Sequence, residues 1–267
     1  MTPLTLTKHH GLGNDFLCAI EPAVDITPDH VVRWCDRRRG IGADGVLTAT
    51  RLGGTDDAWR MVLRNADGSR AEISGNGIRC LGQAILRHLG SRPPAELDID
   101  TDAGRRHLAV VPTEDPATVQ VRVSMGPASA GPPPSDRLAR LGVTALRQEG
   151  VDLGNPHLVA LVDDPTAIDI AAIGPQVEAD YADGVNLHLI SVLSRGRIVL
   201  RVWERGAGVT EACGSGACAA AWAAHRWGMV DDVVSVEMPG GSATIELGDP
   251  VILTGPANYV ATVVLDA

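Results

Sequence analysis

Apolar and polar positions alternate over short stretches through most of this chain, and glycine- or proline-rich corners interrupt the alternation. That period of two marks a half-buried strand. Leu4 to Ile20 reads as a strand, a corner at Gly11-Leu12-Gly13-Asn14-Asp15 and a second strand. Trp59 to Arg64 reads as a strand followed by a turn at Asn65-Ala66-Asp67-Gly68-Ser69. Short strands with turns are expected from Leu97 to Val123, and Gly131-Pro132-Pro133-Pro134 is a surface connection. The order then begins again. Val151 to Leu161 holds a strand and a Gly-Asn corner, Leu187 to Val192 and Ile198 to Trp203 are β-rich, and strands return from Val233 to Val264. Three segments switch to helical spacing: Pro28 to Arg38, with Thr27 as a candidate cap; Ile78 to Leu89, entered through Ser74-Gly75-Asn76-Gly77; and Ala217 to Trp227. Strands dominate, with one apolar helix late in each half, which predicts two α+β domains.

The two halves match at polar positions as well. Asn14 precedes Ser74 by 60 residues and Asn155 precedes Cys213 by 58. Asn65 precedes Ser74 by nine, as Glu204 precedes Cys213. Gly45 follows Asn14 by 31, as Asn186 follows Asn155. Both halves carry Gly-Asn, then a small nucleophilic residue, Gly-x-Gly and an apolar helix. Three concordant spacings at one offset indicate a duplicated unit. Two such units facing each other would aim two helix N-termini at one cleft, an anion site with an acid or base on each side.

Composition narrows the chemistry. The 267 residues suffice for two modest domains, and the 45% apolar and 21% charged content is that of a globular protein. No window approaches the ~18 apolar residues of a membrane span. Met1 to His10 lacks the basic start and apolar run of a secretion signal, so a cytoplasmic location is expected. A net charge of −10 and only eight aromatic residues argue against nucleic-acid binding. Of 23 basic residues, Lys8 is the one lysine. A lysine-bound pyridoxal cofactor would have to use it, and no phosphate-binding cup surrounds it in sequence.

The five cysteines (18, 35, 80, 213, 218) form no C-x-x-C pair, so neither a disulfide framework nor a zinc ribbon is indicated. Most read as small buried residues. Cys213, in Thr210-Glu211-Ala212-Cys213-Gly214-Ser215-Gly216, sits instead where a helix begins, and a helix N-terminus favours a thiolate. Gly40-Ile41-Gly42-Ala43-Asp44-Gly45 has dinucleotide-binding spacing, and Gly214 to Ala219 a looser form of it. Neither has the strand–turn–helix context. His9 and His10, adjacent in a strand, point to opposite faces, which argues against a metal pair. His157 is either a satisfied turn histidine or a site residue beside Cys213. Glu204-Arg205 is either a surface ion pair or, given the repeat, a zwitterion-binding pair.

Six runs together resemble the diaminopimelate epimerase family, within the wider group that includes proline racemase. They are Gly11 to Phe16, Gly40 to Gly45, Asn65 to Ser69, Gly75 to Cys80, Gly154-Asn155-Pro156-His157, and Trp203 through Gly216. The resemblance implies two pseudo-symmetric domains, each a β-barrel-like sheet around a central helix, divided as residues 1–117 with 258–267 and residues 118–257. It implies an active site between them and a homodimer. It also implies cofactor-independent, metal-free epimerisation of L,L-diaminopimelate to meso-diaminopimelate, a step of lysine and cell-wall precursor biosynthesis. One cysteine would remove the α-proton while a second returns one on the opposite face. Cys213 is one of the pair, and the other position is Ser74. The substrate-binding positions implied are Asn14, Asn65, Gly75, Asn76, Asn155, Asn186, Glu204, Arg205, Gly214 and Ser215, with His157 in support. Cys80 and Cys218 match secondary cysteines expected to point away from substrate. Besides Ser74, Val209 departs from the pattern by replacing an acidic residue. A hydroxyl is a far weaker acid than a thiol and needs a neighbouring base. The wider group therefore leaves room for a one-base lyase or dehydratase, an epimerase of another amino acid, a weakly active form, or a non-catalytic amino-acid binder.

Overall fold

A computed structural model describes residues 3–53 and 56–265. The chain divides into two compact units, Met1–Ser124 with Thr254–Ala267, and Met125–Leu253.

In the first unit, β1 (Leu4–Gly11) and β2 (Asn14–Ile20) form a hairpin. Leu12 and Gly13 make its turn at φ of 57° and 88°. α1 (Pro28–Cys35) follows, with Thr27 accepting from the His30 N–H in a reciprocal cap. It ends three residues short of the expected Arg38. β3 (Gly45–Gly53) runs parallel to β2, and β4 (Asp56–Asn65) runs antiparallel to β3. The two-residue β5 (Arg70–Ala71) flanks β4. After α2 (Gly75–His88), β6 (Ala95–Thr101) lies parallel to β4, then β7 (Gly104–Pro112) and β8 (Thr118–Gly126) run antiparallel in turn. The C-terminal strand Val251–Leu265 pairs with β8 and with β1, which closes the ring. α2 packs against β1, β2, β3 and β7 and buries Ile78, Leu81 and Ile85 completely. α1 packs on β3 and β4, where Val31 and Trp34 join Leu17 and Val46 in a core. The unit extends to residue 124, past 117, because β8 is a full partner of β7 from Val119 to Val123.

The second unit repeats this plan. It comprises β9 (Ser129–Ala130), α3 (Arg137–Arg140), β10 (Arg147–Asp152), β11 (Pro156–Leu161), α4 (Ile170–Glu178), β12 (Asn186–Ser194), β13 (Arg197–Glu204), β14 (Gly208–Val209), α5 (Gly214–Arg226), β15 (Val233–Met238), β16 (Gly241–Glu246) and the start of β17 (Val251–Leu265). α5 packs against β10 to β13, β15 and β16. Its alanines at 217, 219, 220, 221, 223 and 224 are fully buried, and their small side chains let the sheet wrap closely. The strand ladders record the duplication. Phe16 pairs with Gly45 across a parallel ladder, and His157 pairs with Asn186 across another, both 141 residues further on. β3–β4 and β12–β13 are antiparallel hairpins, and β4–β6 and β13–β15 are parallel. Helix α4 lies in a stretch for which the hydrophobic pattern carries no expectation. Asp169 caps it by accepting from the Ala171 and Ala172 N–H groups. Among the described residues no helix is long and apolar enough to cross a membrane.

Candidate active site

Both central helices begin three residues before the sequence pattern indicates, and the reason lies in their caps. Ser74 and Cys213 are the N-cap residues themselves. Ser74 Oγ accepts the Gly77 N–H at 3.0 Å, and Cys213 Sγ accepts the Gly216 N–H at 3.4 Å. A side-chain acceptor at that place satisfies an amide that the first helical turn leaves unpaired. Gly75-Asn76-Gly77 and Gly214-Ser215-Gly216 therefore become first-turn residues.

Around Cys213 the structure gathers a polar group within the second unit. The thiol lies 3.7 Å from Ser215 Oγ, and the Glu204 carboxylate acts on it electrostatically. Glu204 also accepts from the Thr210 hydroxyl. Burial, followed by the Glu204 carboxylate, pushes the thiol well above its usual value. The Gly216 N–H and Ser215 act in the opposite sense but more weakly. This corrects the expectation of a thiolate. The helix terminus is present, yet desolvation and a neighbouring carboxylate outweigh it.

Asn186, expected among the binding residues, is 4% exposed and serves the backbone. Its Nδ2 donates to Pro156 O at 2.9 Å, and its Oδ1 accepts the Arg205 N–H at 2.9 Å. Arg205 NH1 donates to Asp183 O at 3.0 Å. Gly184, at φ 70°, lies against the Arg205 stem, where a Cβ would come within 2.8 Å. Trp203 is anchored by its Nε1 donating to Glu178 Oε2 at 2.7 Å and fills the space above Gly174. Helix α4 thus holds the strand end that carries Glu204 and Arg205. His157 is fully buried, with Nε2 2.8 Å from Asn155 Oδ1 and Nδ1 2.8 Å from His188 Nε2. Burial, then His188 and Arg205, drives its pKa well below the ordinary histidine value. Val209 is exposed on β14 opposite Trp203.

In the first unit Asn14, Asn76 and the Ser74 helix start come together. Asn76 Nδ2 donates to Asn14 Oδ1 at 3.3 Å, and Asn76 Oδ1 accepts from Arg79 at 2.9 Å. Asn14 Nδ2 donates to Asp44 Oδ2 at 2.8 Å. Asp44 continues to Arg37 at 2.6 Å, and Arg37 to Asp15 at 2.7 Å. Lys8 Nζ, 2.9 Å from Asp15 and 2.6 Å from Gly42 O, is committed to the same network. Although burial opposes its charge, hydrogen bonds from Arg37 and Lys8 hold the Asp15 carboxyl below the usual range. Arg79, fully buried, also bonds Gly75 O and Pro256 O. Asn65 ends β4 opposite Gly45 and donates to Ser69 Oγ at 3.1 Å. Among the described residues the Ser74 hydroxyl has no carboxylate or imidazole partner. Cys80 is fully buried and its thiol is pushed up to about 12 by burial.

The expected residues thus form two clusters, one per unit: Ser74, Gly75, Asn76 and Asn14, with Asn65 at the adjoining strand end, and Cys213, Gly214, Ser215, Glu204, Arg205, Asn186, Asn155 and His157. Sequence reasoning did not find His188, Asp44 and Arg79 in supporting roles. A lone polar residue inside Leu187-His188-Leu189-Ile190 was the available signal for the first. Among the described residues no group of three or more His, Cys, Asp or Glu side chains is placed to hold a metal ion.

In each unit a β-barrel-like sheet surrounds a helix capped at its start by a small polar residue, a fold shared with solved epimerases. A hydroxyproline epimerase from Agrobacterium vitis superposes with a TM-score of 0.75 at 15% identity, covering 98% of this chain and 92% of that one. A predicted epimerase from Pseudomonas aeruginosa gives 0.79 at 14%, covering 99% of each chain. At those identities the likeness is one of fold. Sequence resolves the family. The diaminopimelate epimerase family matches residues 6–130 and 150–260, and this chain belongs to it. Similar proteins include the diaminopimelate epimerase of Trichodesmium erythraeum, 38% identical over 97% of this chain and 98% of its own length. Diaminopimelate epimerase 1 of a Nostoc species is 40% identical with the same coverage.

Proposed function

We propose that this protein is an isomerase that converts L,L-diaminopimelate to meso-diaminopimelate without a cofactor, by removing and returning one α-proton. Family membership supports the reaction, and the observation that carries it is the acid–base pair at the start of α5. There the Cys213 thiol caps the first helical turn and feels the charge of the Glu204 carboxylate. The α-proton of an amino acid is weakly acidic, so charge building on the substrate must be met by fixed donors, which helix N-termini supply. Glu204 is positioned to take the thiol proton, leaving a thiolate able to accept the α-proton on one face. Return of a proton on the other face falls to Ser74. Asn14, Asn65, Asn76, Asn155, Asn186, Glu204 and Arg205 bind the two amino-carboxylate ends, with Gly75, Gly214 and Ser215 offering close backbone approach.

The protein acts in the cytoplasm on a small amino acid, in lysine biosynthesis, and as a homodimer. Supporting the dimer, Val260, Thr262 and Val264 of β17 are exposed beside β1, an uncharged strip suited to a second copy. Incubation with L,L-diaminopimelate in D2O tests the reading. Appearance of the meso isomer carrying α-deuterium, undiminished by dialysis against a chelator and without a pyridoxal absorbance band, is the expected result. An unchanged, undeuterated substrate would refute it. One observation favours a second reading. Among the described residues Ser74 has no base partner, which suits one-sided chemistry, such as elimination from an amino acid with a β-leaving group. Release of a keto acid from such a substrate, with no meso product, would select it.

A further inference from the structure

We propose that His188 is a positioning residue that, through His157, turns the amide of Asn155 so that its NH2 group faces outward as a donor to an anionic group of the ligand. The proposal rests on the reading of Asn155 as a ligand-binding residue. Asn155, His157 and His188 form a continuous chain, with successive contacts of 2.8 Å and 2.8 Å. Both histidines are fully buried. A neutral imidazole has one N–H and one lone pair, so the proton on each ring dictates the proton on the next. With Asn155 Oδ1 facing His157 Nε2, that nitrogen carries the hydrogen. His157 Nδ1 is then an acceptor, and His188 Nε2 donates to it. His188 Nδ1 is left as a lone pair, and among the described residues it is a buried nitrogen without a partner.

The reverse arrangement is also complete in protons, but it ends differently. His157 Nδ1–H would donate to His188 Nε2, Asn155 would flip to donate through Nδ2, and His188 Nδ1 would carry a buried, unpaired hydrogen. An orphaned donor is costlier than an under-used acceptor. The position sharpens the preference. The His188 ring lies against Gly216, where a Cβ would come within 2.3 Å of Cε1 and 2.8 Å of Nδ1. That is the first turn of α5, where partial positive charge collects and disfavours another hydrogen. The first arrangement therefore prevails. It leaves Asn155 Nδ2, which donates to no group among the described residues, free on a half-buried side chain. A carboxylate is the ligand group that such a donor recognises.

The test uses the full chain labelled with 15N-histidine, its signals assigned through His157→Gln and His188→Gln. Long-range 1H–15N correlation is expected to show both rings neutral and protonated at Nε2. A hydrogen on His157 Nδ1 would overturn the proposal whether or not the chain turns over diaminopimelate. Kinetics supply the second arm. His188→Leu removes the donor and is expected to raise KM for L,L-diaminopimelate about tenfold with kcat within about twofold. His188→Gln, whose Nε2 can still donate, is expected to recover most of that loss. Equal KM values for the two variants would also overturn it. Absence of turnover by the parent chain would instead refute the reaction assigned above, and the tautomer measurement would still decide the role of His188.

Discussion

At the start of α2 the capping atom is a hydroxyl oxygen and at the start of α5 a thiol sulfur, while the backbones beneath them nearly coincide. Ser74 has φ, ψ of −130°, 123°, and Cys213 has −132°, 115°. The difference reaches beyond the capping atom. The residue nine positions before Cys213 is Glu204, an acid whose charge acts on the thiol, whereas the one nine positions before Ser74 is Asn65, a neutral amide bonded to Ser69. Asn14 spends its Nδ2 on the charged network of Asp44, Arg37, Asp15 and Lys8, while its counterpart Asn155 rests on two neutral histidines, its Nδ2 donating to no group among the described residues. Duplication has therefore preserved the scaffold and its helix start but not the proton chemistry. The second unit sets a carboxylate's charge on its thiol, and among the described residues the first sets no carboxylate or imidazole on its hydroxyl.

The asymmetry is most directly broken at Cys213. Cys213→Ala is expected to lower α-proton exchange by about 1000-fold, the scale of a lost general acid–base group, while ligand binding survives. Deuterium uptake followed by NMR checks it, and exchange near the parent rate would show that the couple in the second unit is not the working one.

Buried neutral histidines separate the units by titration. Burial pushes His9, in the first unit, down to about 4, pushes His188, in the second, down to about 3, and carries His157 lower than its ordinary value too. These bases are neutral in the folded chain and charge near pH 6.5 when unfolded, so the unfolded state binds more protons below that pH. Stability is then present above pH 6.5 and falls as pH drops toward 4. Urea titrations at pH 6.5 and 5.5 should differ by about 3 kcal/mol, near 1 for each ring. Replacing His157 and His188 together by apolar residues should remove more of the slope than replacing His9. An unchanged slope would contradict their neutrality.

The two Gly-x-Gly turns offer a steric contrast. Gly216→Ala places a Cβ 2.3 Å from the His188 ring, whereas Gly77→Ala meets Ser74 and Leu47 at 3.1 Å and beyond. The first should cost about 2 kcal/mol by overpacking. The second should cost under about 1 kcal/mol, because alanine's helix propensity offsets the contact. Thermal or urea denaturation checks both, and equal costs would mean that the turns are not packed differently.

Restoring the missing thiol is the mildest change. Ser74→Cys should raise epimerisation at least about tenfold, roughly 1.4 kcal/mol of barrier. In the parent chain, deuterium should enter one isomer faster than that isomer inverts. Equal inversion rates at saturating substrate would show that Ser74 is already a competent partner.

Much of this organisation was legible along the chain because strands and caps leave short-range marks. The alternation from Leu4 to Ile20 locates both strands of the first hairpin, Thr27 marks the start of α1, and equal Asn-to-Gly and Asn-to-Asn spacings reveal the repeat later recorded in the parallel ladders. Helix α4 was not legible, because Gly174 and Pro175 read as breakers. Gly174 is there for the Trp203 ring that presses on it from β13.

By itself, then, the sequence determined the element types, the duplication, the family and the residues worth watching. Each of these depends on periodicity or on spacing between chemical groups that neighbouring residues carry. Only the tertiary structure decided the protonation of those groups. The Cys213 helix start argues for a thiolate, and burial beside Glu204 reverses it. His157 alone was an ambiguous turn histidine until His188, from a strand 31 residues away, took its Nδ1. Charge state follows from which dipoles and charges surround an atom and how much water is excluded, and a linear chain does not contain that information until it folds.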